Sequence, residues 1–144
     1  MTDASVLLRQ AVREDMPALW EVRYSVSENT LTPGRISDEE LQRSIEEDGR
    51  GWVAEEAGRI VGFAIGLLSG NVWALFVRPE AEGRGIGSAL HAEMLEWFAR
   101  QPLPRLWLTT GTNTLARSFY EARGWQYAGP YGSDEVRLER PNAA

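Results

Sequence analysis

The amino-acid sequence predicts a mixed α/β fold of the α+β type, in which helices flank a mostly antiparallel sheet. Three closely spaced strand-like runs, separated by short turns, indicate an antiparallel meander. A Gly-rich loop followed by a long helix and a further strand indicates a crossover between two parallel strands. The predicted order is β-α-α-β-β-β-α-β-α-β-β, in a single domain of 144 residues with its core over about residues 6–140.

The first half of the chain begins with a strand predicted over Val6–Val12. A helical stretch opens at residues 13–15 and reaches about Glu28, with a proline in its first turn, where proline is tolerated. Ser37 and Glu40 form a capping box, which predicts the start of a second helix that ends at Asp48-Gly49.

The meander follows directly. Its strands are predicted over Trp52–Glu56, Ile60–Leu68 and Val72–Val77. The turns at residues 57–58 and 69–71 are short enough for hairpins.

The second half contains the crossover and a final hairpin. Its predicted elements, in chain order, are a loop over Arg78–Gly87, a long helix that Pro102 and Pro104 stop, a strand over Leu106–Leu108, a helix over Asn113–Arg123 and two strands over Trp125–Ala128 and Glu135–Leu138. Gly124 is placed as the C′ glycine of the second of these helices. His91 lies one turn inside the long helix and is expected to be exposed.

Composition and charge exclude several classes of protein. The net charge of −6 argues against a nucleic-acid binder, which needs a basic face. No apolar stretch approaches the roughly 20 residues of a membrane helix, so no membrane association is expected. The absence of cysteine and the single histidine argue against a metal site. No secretory signal is recognisable at the amino end, so a cytoplasmic location is expected.

The Gly-rich loop carries the strongest chemical signal. Glycines at positions 83, 85 and 87 lie directly before and at the start of the long helix. Such a loop turns successive N–H groups into one concavity, and the helix start adds unpaired N–H groups and a positive dipole end. This combination predicts a phosphate or pyrophosphate site. The Lys-Ser/Thr pair of a P-loop and the last glycine of a dinucleotide fingerprint are both missing.

The loop resembles the acetyl-CoA signature of the GNAT superfamily of N-acetyltransferases, Q/R-x-x-G-x-G/A. Gly85 and Gly87 occupy its glycine positions, and Glu82 stands where Gln or Arg is usual. The acid places a negative charge near the expected pyrophosphate, and Arg78 or Arg84 would supply the compensating positive charge.

A second segment resembles the other motif of that family, N-x-x-A-x-x-x-Y-x-x-x-G-F. Asn113, Ala116, Tyr120 and Gly124 match it position for position, and Trp125 replaces the usual Phe. The two motifs stand about 26 residues apart, a separation typical of one helix and one strand. Both motifs in this order make the resemblance specific.

The resemblance implies acetyl-CoA as co-substrate, without a metal, and a primary amine of a small molecule or peptide as acceptor. The residues that it places at the cofactor are Leu75, Phe76, Val77, Glu82, Gly83, Arg84, Gly85, Ile86, Gly87, Ser88, Asn113 and Phe119. Asn113 would also cap its helix, and Phe119 packs on either the cofactor or the core.

Tyr120 is the implied general acid, since a phenol pKa of about 10 keeps its proton until a thiolate leaves. Without the motif, Tyr120 would be interpreted as a core residue. The strand before the loop contains no acid, so Glu28 is the first candidate for the base that deprotonates the amine. An alternative is a non-catalytic acyl-CoA sensor of the same fold, and a homodimer is possible.

Overall fold

A computed structural model describes residues 6–26 and 35–142 of the chain. In chain order the elements of this part are β1 (Val6–Gln10), α1 (Met16–Ser25), α2 (Asp38–Glu46), β2 (Gly49–Glu56), β3 (Arg59–Leu67), β4 (Val72–Val77), α3 (Ile86–Ala99), β5 (Arg105–Gly111), α4 (Leu115–Glu121), β6 (Gln126–Tyr131) and β7 (Glu135–Pro141). The fold class and the order of the elements are as predicted.

Several boundaries differ from the prediction, mainly at element ends. Residues 13–15 form a 3₁₀ turn, and α1 begins only at Met16. The helix ends at Ser25, because Val26 is extended. The predicted helix end at Glu28 lies outside the described residues. β2 begins at Gly49, earlier than predicted, because its first residues pair with the end of β3.

The predicted capping box at the start of α2 is confirmed. The Ser37 hydroxyl accepts a hydrogen bond from the Glu40 N–H at 3.1 Å, and the Glu40 carboxylate accepts one from the Ser37 N–H at 3.2 Å. Two N–H groups that the helix cannot pair internally are thereby satisfied.

The strands form two antiparallel sheets rather than one continuous sheet. The first has the order β1-β2-β3-β4 and the second the order β5-β7-β6. Asn71, the residue before β4, forms one parallel bridge with Trp107 of β5, which confirms the predicted parallel direction of β4 and β5. The Asn71 amide also donates to the Trp107 carbonyl at 3.3 Å. Beyond this bridge the described strands do not pair, and the two sheets diverge.

A bulge in β4 contributes to this divergence. The register of β3 and β4 shifts between Ile65 and Gly66, so that Ala74 and Val72 have partners and Trp73 has none. A bulge bends its strand and increases the local twist. It lies next to the bridge, at the point where β4 turns away from β5.

The first sheet is buried on both faces. One face packs on α3 through side chains such as Leu90, Met94 and Phe98. The other packs on α1 and α2 through Leu19 and Leu41. Burial on both faces explains why β3 is apolar almost throughout. Among the described helices none is long and apolar enough to cross a membrane.

Candidate functional site

A cleft of about 370 Å³ opens where the two sheets diverge. It is bounded by β4, the start of α3 and one face of α4, and it reaches the end of α1. Its lining residues are Val26, Leu75, Phe76, Val77, Glu82, Gly87, Leu115, Ala116, Phe119 and Tyr120. Residues of both sequence motifs and of β4 therefore meet at one site.

The edge of β4 that faces the cleft presents backbone polar groups. The Arg78 N–H donates to the Val61 carbonyl at 2.8 Å. This hydrogen bond shows that the backbone polar groups of Arg78 face β3. Hydrogen-bonded pairs alternate along an antiparallel ladder, so the polar groups of Phe76 also face β3. Those of Leu75 and Val77 point to the opposite edge. This edge can pair with an extended chain that carries amides, as another strand would.

The Gly-rich loop forms the predicted cradle of N–H groups. Gly83 and Gly85 adopt left-handed φ angles of 77° and 82°, which glycine alone adopts without a steric penalty. Gly85 is the N-cap of α3. Within the described residues, the backbone N–H groups of Gly83, Gly85, Gly87 and Ser88 donate to no backbone carbonyl outside α3. The cradle therefore has hydrogen-bond donors for an anion at the start of a 14-residue helix.

The two arginines expected to offset Glu82 are held by other protein groups. Arg84 forms an ion pair with Glu56 at the end of β2. Arg78 is buried and donates to the Ile60 carbonyl at 2.9 Å, and Glu21 lies 3.8 Å from it. Neither residue lines the cleft. Glu82 does line the cleft and is exposed there.

Arg123 brings a positive charge to the cradle, and no feature of the sequence indicated this role. Its guanidinium donates to the Ser88 hydroxyl in the first turn of α3. The guanidinium carbon lies 3.6 Å from the centre of the Phe119 ring, and the guanidinium donates to the Phe119 carbonyl at 2.9 Å. Arg123 follows α4, so the packing of α4 beside α3 places this charge. Phe119 contacts the cation on one side and lines the cleft as well.

Tyr120 lies at the inner wall of the cleft. It is 7% exposed, and burial raises the pKa of its phenol above the ordinary value. Within the described part of the chain its hydroxyl forms no hydrogen bond, and the cleft is the space that it borders. Tyr120 therefore belongs both to the core and to the cleft. Its ring packs against Phe119 and Trp125, and the residue also lines the cleft.

Asn113 does not cap α4, which corrects one expectation. The N-cap is Thr114, whose hydroxyl accepts from the Arg117 N–H at 3.1 Å. Asn113 precedes the cap on the exposed surface and is not among the residues that line the cleft. The helix begins two residues later than predicted, because the turn after β5 occupies Thr112 and Asn113.

His91 is buried, which corrects the expectation that it is exposed. It is 4% exposed, and its Nε2 accepts a hydrogen bond from the Trp125 indole at 3.1 Å. Burial, with the nearby charges of Arg140 and Arg123, lowers the pKa of His91 to about 4. The imidazole is therefore neutral at pH 7 and is packed in the core behind Tyr120. Its spacing from Met94 and Phe98 matches the apolar stripe and could have indicated this.

The titration of His91 tests this arrangement directly. Because the chain has one histidine, its ring signals in a proton NMR titration need no assignment. We expect a pKa of about 4 in the folded protein. The unfolded chain takes up the proton first, so this residue lowers the free energy of unfolding as the pH falls from about 6.5 to 4. Trp125→Phe should raise the pKa, since it removes the donor to Nε2. A wild-type pKa near 6.5 would contradict the burial.

Comparisons with known proteins agree with this geometry. A family model described as the acetyltransferase (GNAT) family matches residues 9–125. The peptidyl-lysine N-acetyltransferase YiaC of Escherichia coli is 34% identical over 93 residues, which cover 63% of this chain and 60% of that protein. This chain therefore matches less than two thirds of that relative's length.

Two solved structures show the same fold at low sequence identity. The PaiA N-acetyltransferase of Thermoplasma acidophilum, in complex with coenzyme A, has a TM-score of 0.82 at 20% identity, over 95% of this chain and 99% of that one. A ribosomal-protein alanine N-acetyltransferase of Escherichia coli has a TM-score of 0.79 at 18% identity, over 96% and 95%. The match of the family model over most of the sequence, with both motifs inside the matched range, shows that this chain belongs to the acetyltransferase (GNAT) family.

Proposed function

We propose that this chain binds acetyl-CoA in the cleft and transfers the acetyl group to a primary amine of a small molecule or peptide by direct attack in a ternary complex. One observation carries the proposal. Gly87 at the end of the Gly-rich loop, the unpaired edge of β4 and Tyr120 border the same cleft. A diphosphate, an amide-bearing arm and a thioester occur in that order along acetyl-CoA.

The residues present fit this co-substrate. The cradle at Gly83–Ser88 and the guanidinium of Arg123 would hold the diphosphate. The edge groups of Leu75 and Val77 would pair with the amides of the pantetheine arm. A Cβ atom at Gly87 would meet only Phe119 and Val77, at 3.7 Å and beyond, so the space in front of Gly87 is open to a ligand.

We assign each group at the reacting centre a role. An N–H of β4 would donate to the thioester carbonyl as negative charge develops on its oxygen. The amine nitrogen forms a bond to the carbonyl carbon and loses one proton, and the carbon–sulfur bond breaks. Tyr120 would give its proton to the departing sulfur and regain one from solvent. The raised pKa keeps Tyr120 protonated at neutral pH.

The amine must be neutral when it attacks, and its deprotonation needs a base or a desolvating site. Glu28 stays the proposed base, by its position in the sequence after α1. The relative from Escherichia coli is a peptidyl-lysine N-acetyltransferase, which supports a peptide amine as one acceptor class. A cytoplasmic location and a homodimer stay predictions.

Two measurements test the function. Titration calorimetry should show binding of acetyl-CoA, and release of free thiol in the presence of an amine panel should show transfer. The panel spans polyamines, amino acids, aminoglycosides and peptides with free amino termini. Binding without thiol release for any amine would assign the chain as an acyl-CoA sensor. Absence of binding would overturn both assignments.

Arg123 should contribute to cofactor affinity. We expect Arg123→Met to weaken acetyl-CoA binding about 10- to 100-fold, because a charge-assisted hydrogen bond to a phosphate is worth roughly 1.5–3 kcal/mol. Arg100→Met is the matched control, since Arg100 is exposed at the opposite end of α3. Equal affinities for the two variants would show that Arg123 only supports Phe119. Thermal unfolding of both variants checks that the fold is retained.

A further inference from the structure

A second, smaller cavity lies on the other face of the first sheet, between α1, α2 and β4. Its volume is about 110 Å³. The walls are apolar and aromatic, with Leu19, Trp20, Leu41, Phe63 and Trp73 among them. Phe76 lines both this cavity and the cleft, so this residue borders both spaces.

One charged side chain, Arg23, lines this apolar cavity. Its guanidinium carbon lies 4.3 Å from the centre of the Phe76 ring. Its Nη1 is buried and, among the residues that the structure describes, has no hydrogen-bond partner. Burial lowers the pKa of Arg23 from its ordinary value, yet arginine stays charged in proteins. A buried cationic donor without an acceptor costs free energy, and a carboxylate would relieve that cost.

Two carboxylates that the structure describes on or beside α1, Glu21 and Asp38, are engaged elsewhere. Glu21 lies 3.8 Å from the Arg78 guanidinium, on another side of α1. Asp38 accepts a hydrogen bond from the Trp20 indole at 2.7 Å and so holds one wall of the cavity. No acidic side chain is among the described residues that line the cavity. Among the described residues the cavity thus offers Arg23 no acceptor, and the carboxylate of a bound molecule would supply one.

We propose that the acceptor is a free amino acid with an apolar side chain, held by its carboxylate at Arg23. The apolar side chain fills the space between Trp20, Leu41 and Trp73. The amine reaches past Phe76 to the cleft, where the acetyl group is transferred. This inference rests on the proposed function, whose cleft supplies the thioester. A guanidinium suits this role because its planar N–H groups match a carboxylate in a bidentate geometry.

Matched pairs of acceptors test the proposal. We expect the wild-type kcat/KM for L-leucine, L-methionine and L-phenylalanine to exceed that for the corresponding carboxamides about 10- to 100-fold. The comparison is stringent, because a carboxamide has the less basic amine and so more of the neutral nucleophile at pH 7. Equal or better turnover of the carboxamides would overturn the proposal and leave the transferase assignment intact.

Variants of Arg23 test whether this side chain causes the preference for a carboxylate over a carboxamide. Arg23→Met keeps an apolar stem on Phe76 and should abolish the preference for the carboxylate. Arg23→Lys keeps the charge and should retain part of it. Arg13→Met is the control, since Arg13 is exposed and pairs with Glu46 far from the cavity. A preference that survives Arg23→Met would overturn the assignment.

A binding measurement separates this inference from the proposed function. Thermal shift with L-leucine in the presence of CoA should stabilise the wild type and not Arg23→Met. Acetyl-CoA affinity, measured by calorimetry, should be equal in both proteins. Loss of acetyl-CoA binding in the wild type would overturn the function, whereas a leucine shift that is absent or independent of Arg23 would overturn the inference alone.

Discussion

Tyr120→Phe is expected to lower kcat about 100-fold or more, because general acid catalysis typically contributes 10²- to 10⁴-fold. The variant removes one oxygen and keeps the buried ring in contact with Phe119 and Trp125. Within the described residues the hydroxyl has no hydrogen-bond partner, so its removal should not disturb the fold. Steady-state thiol release at saturating acetyl-CoA gives kcat, and calorimetry should give an unchanged affinity for acetyl-CoA.

Tyr127→Phe provides the control for this substitution. Tyr127 is 54% exposed on β6 and is not a lining residue of the cleft. Its replacement should leave kcat within twofold of the wild-type value, roughly the scatter expected of a surface change. The pH dependence of kcat adds a second readout. Because burial raises the pKa of Tyr120, ionisation of this residue should not lower kcat at any pH up to the ordinary phenol pKa of about 10. A kcat for Tyr120→Phe equal to that of the wild type would remove Tyr120 from the mechanism.

Gly87→Leu should weaken acetyl-CoA binding by at least about 100-fold, because the new side chain would fill the cleft in front of α3. The protein itself leaves room for the Cβ atom, with the nearest contact at 3.7 Å to Phe119. Leucine also has a higher helix propensity than glycine, so the fold should be retained or stabilised. The loss of affinity would then report the ligand site and not unfolding.

Ala92→Leu is the matched control for this blocked cleft. Ala92 is exposed on the same helix, and its substitution also replaces a small residue with leucine. We expect its affinity for acetyl-CoA to equal that of the wild type in the same calorimetric titration. If Gly87→Leu bound acetyl-CoA as tightly as this control, the cofactor would lie elsewhere and the proposed cleft would be wrong.

The local features of the fold could be predicted from sequence because each depends on a few neighbouring residues. The capping box at Ser37 and Glu40 is one example, and the strand over Val72–Val77 is another. The turn at Gly83 and Gly85 also follows from local chemistry, since left-handed φ angles favour glycine. Such features need no knowledge of distant contacts, and the first family motif lies on one of them.

The predictions that differed from the structure depended on packing between distant elements. His91 is buried because α3 and the segment after α4 enclose it, and Trp125 supplies its donor from 34 residues away. The N-cap of α4 is Thr114 and not the predicted Asn113, because the turn after β5 occupies Thr112 and Asn113. Arg84 pairs with Glu56, 28 residues earlier in the chain, and so does not line the cleft.

The sequence by itself determined the fold class, the order of the elements, the glycine turn before α3 and the family resemblance. Periodicity, capping and glycine positions are local properties, and they are readable along the chain. Only the tertiary structure decided that β4 separates from β5 beyond one bridge and opens the cleft. It alone placed Arg123 at Ser88 and left Arg23 without a described acceptor in an apolar cavity. The reason is physical: burial and pairing of a charge depend on which distant surfaces enclose it, and these surfaces exist only once the chain has folded.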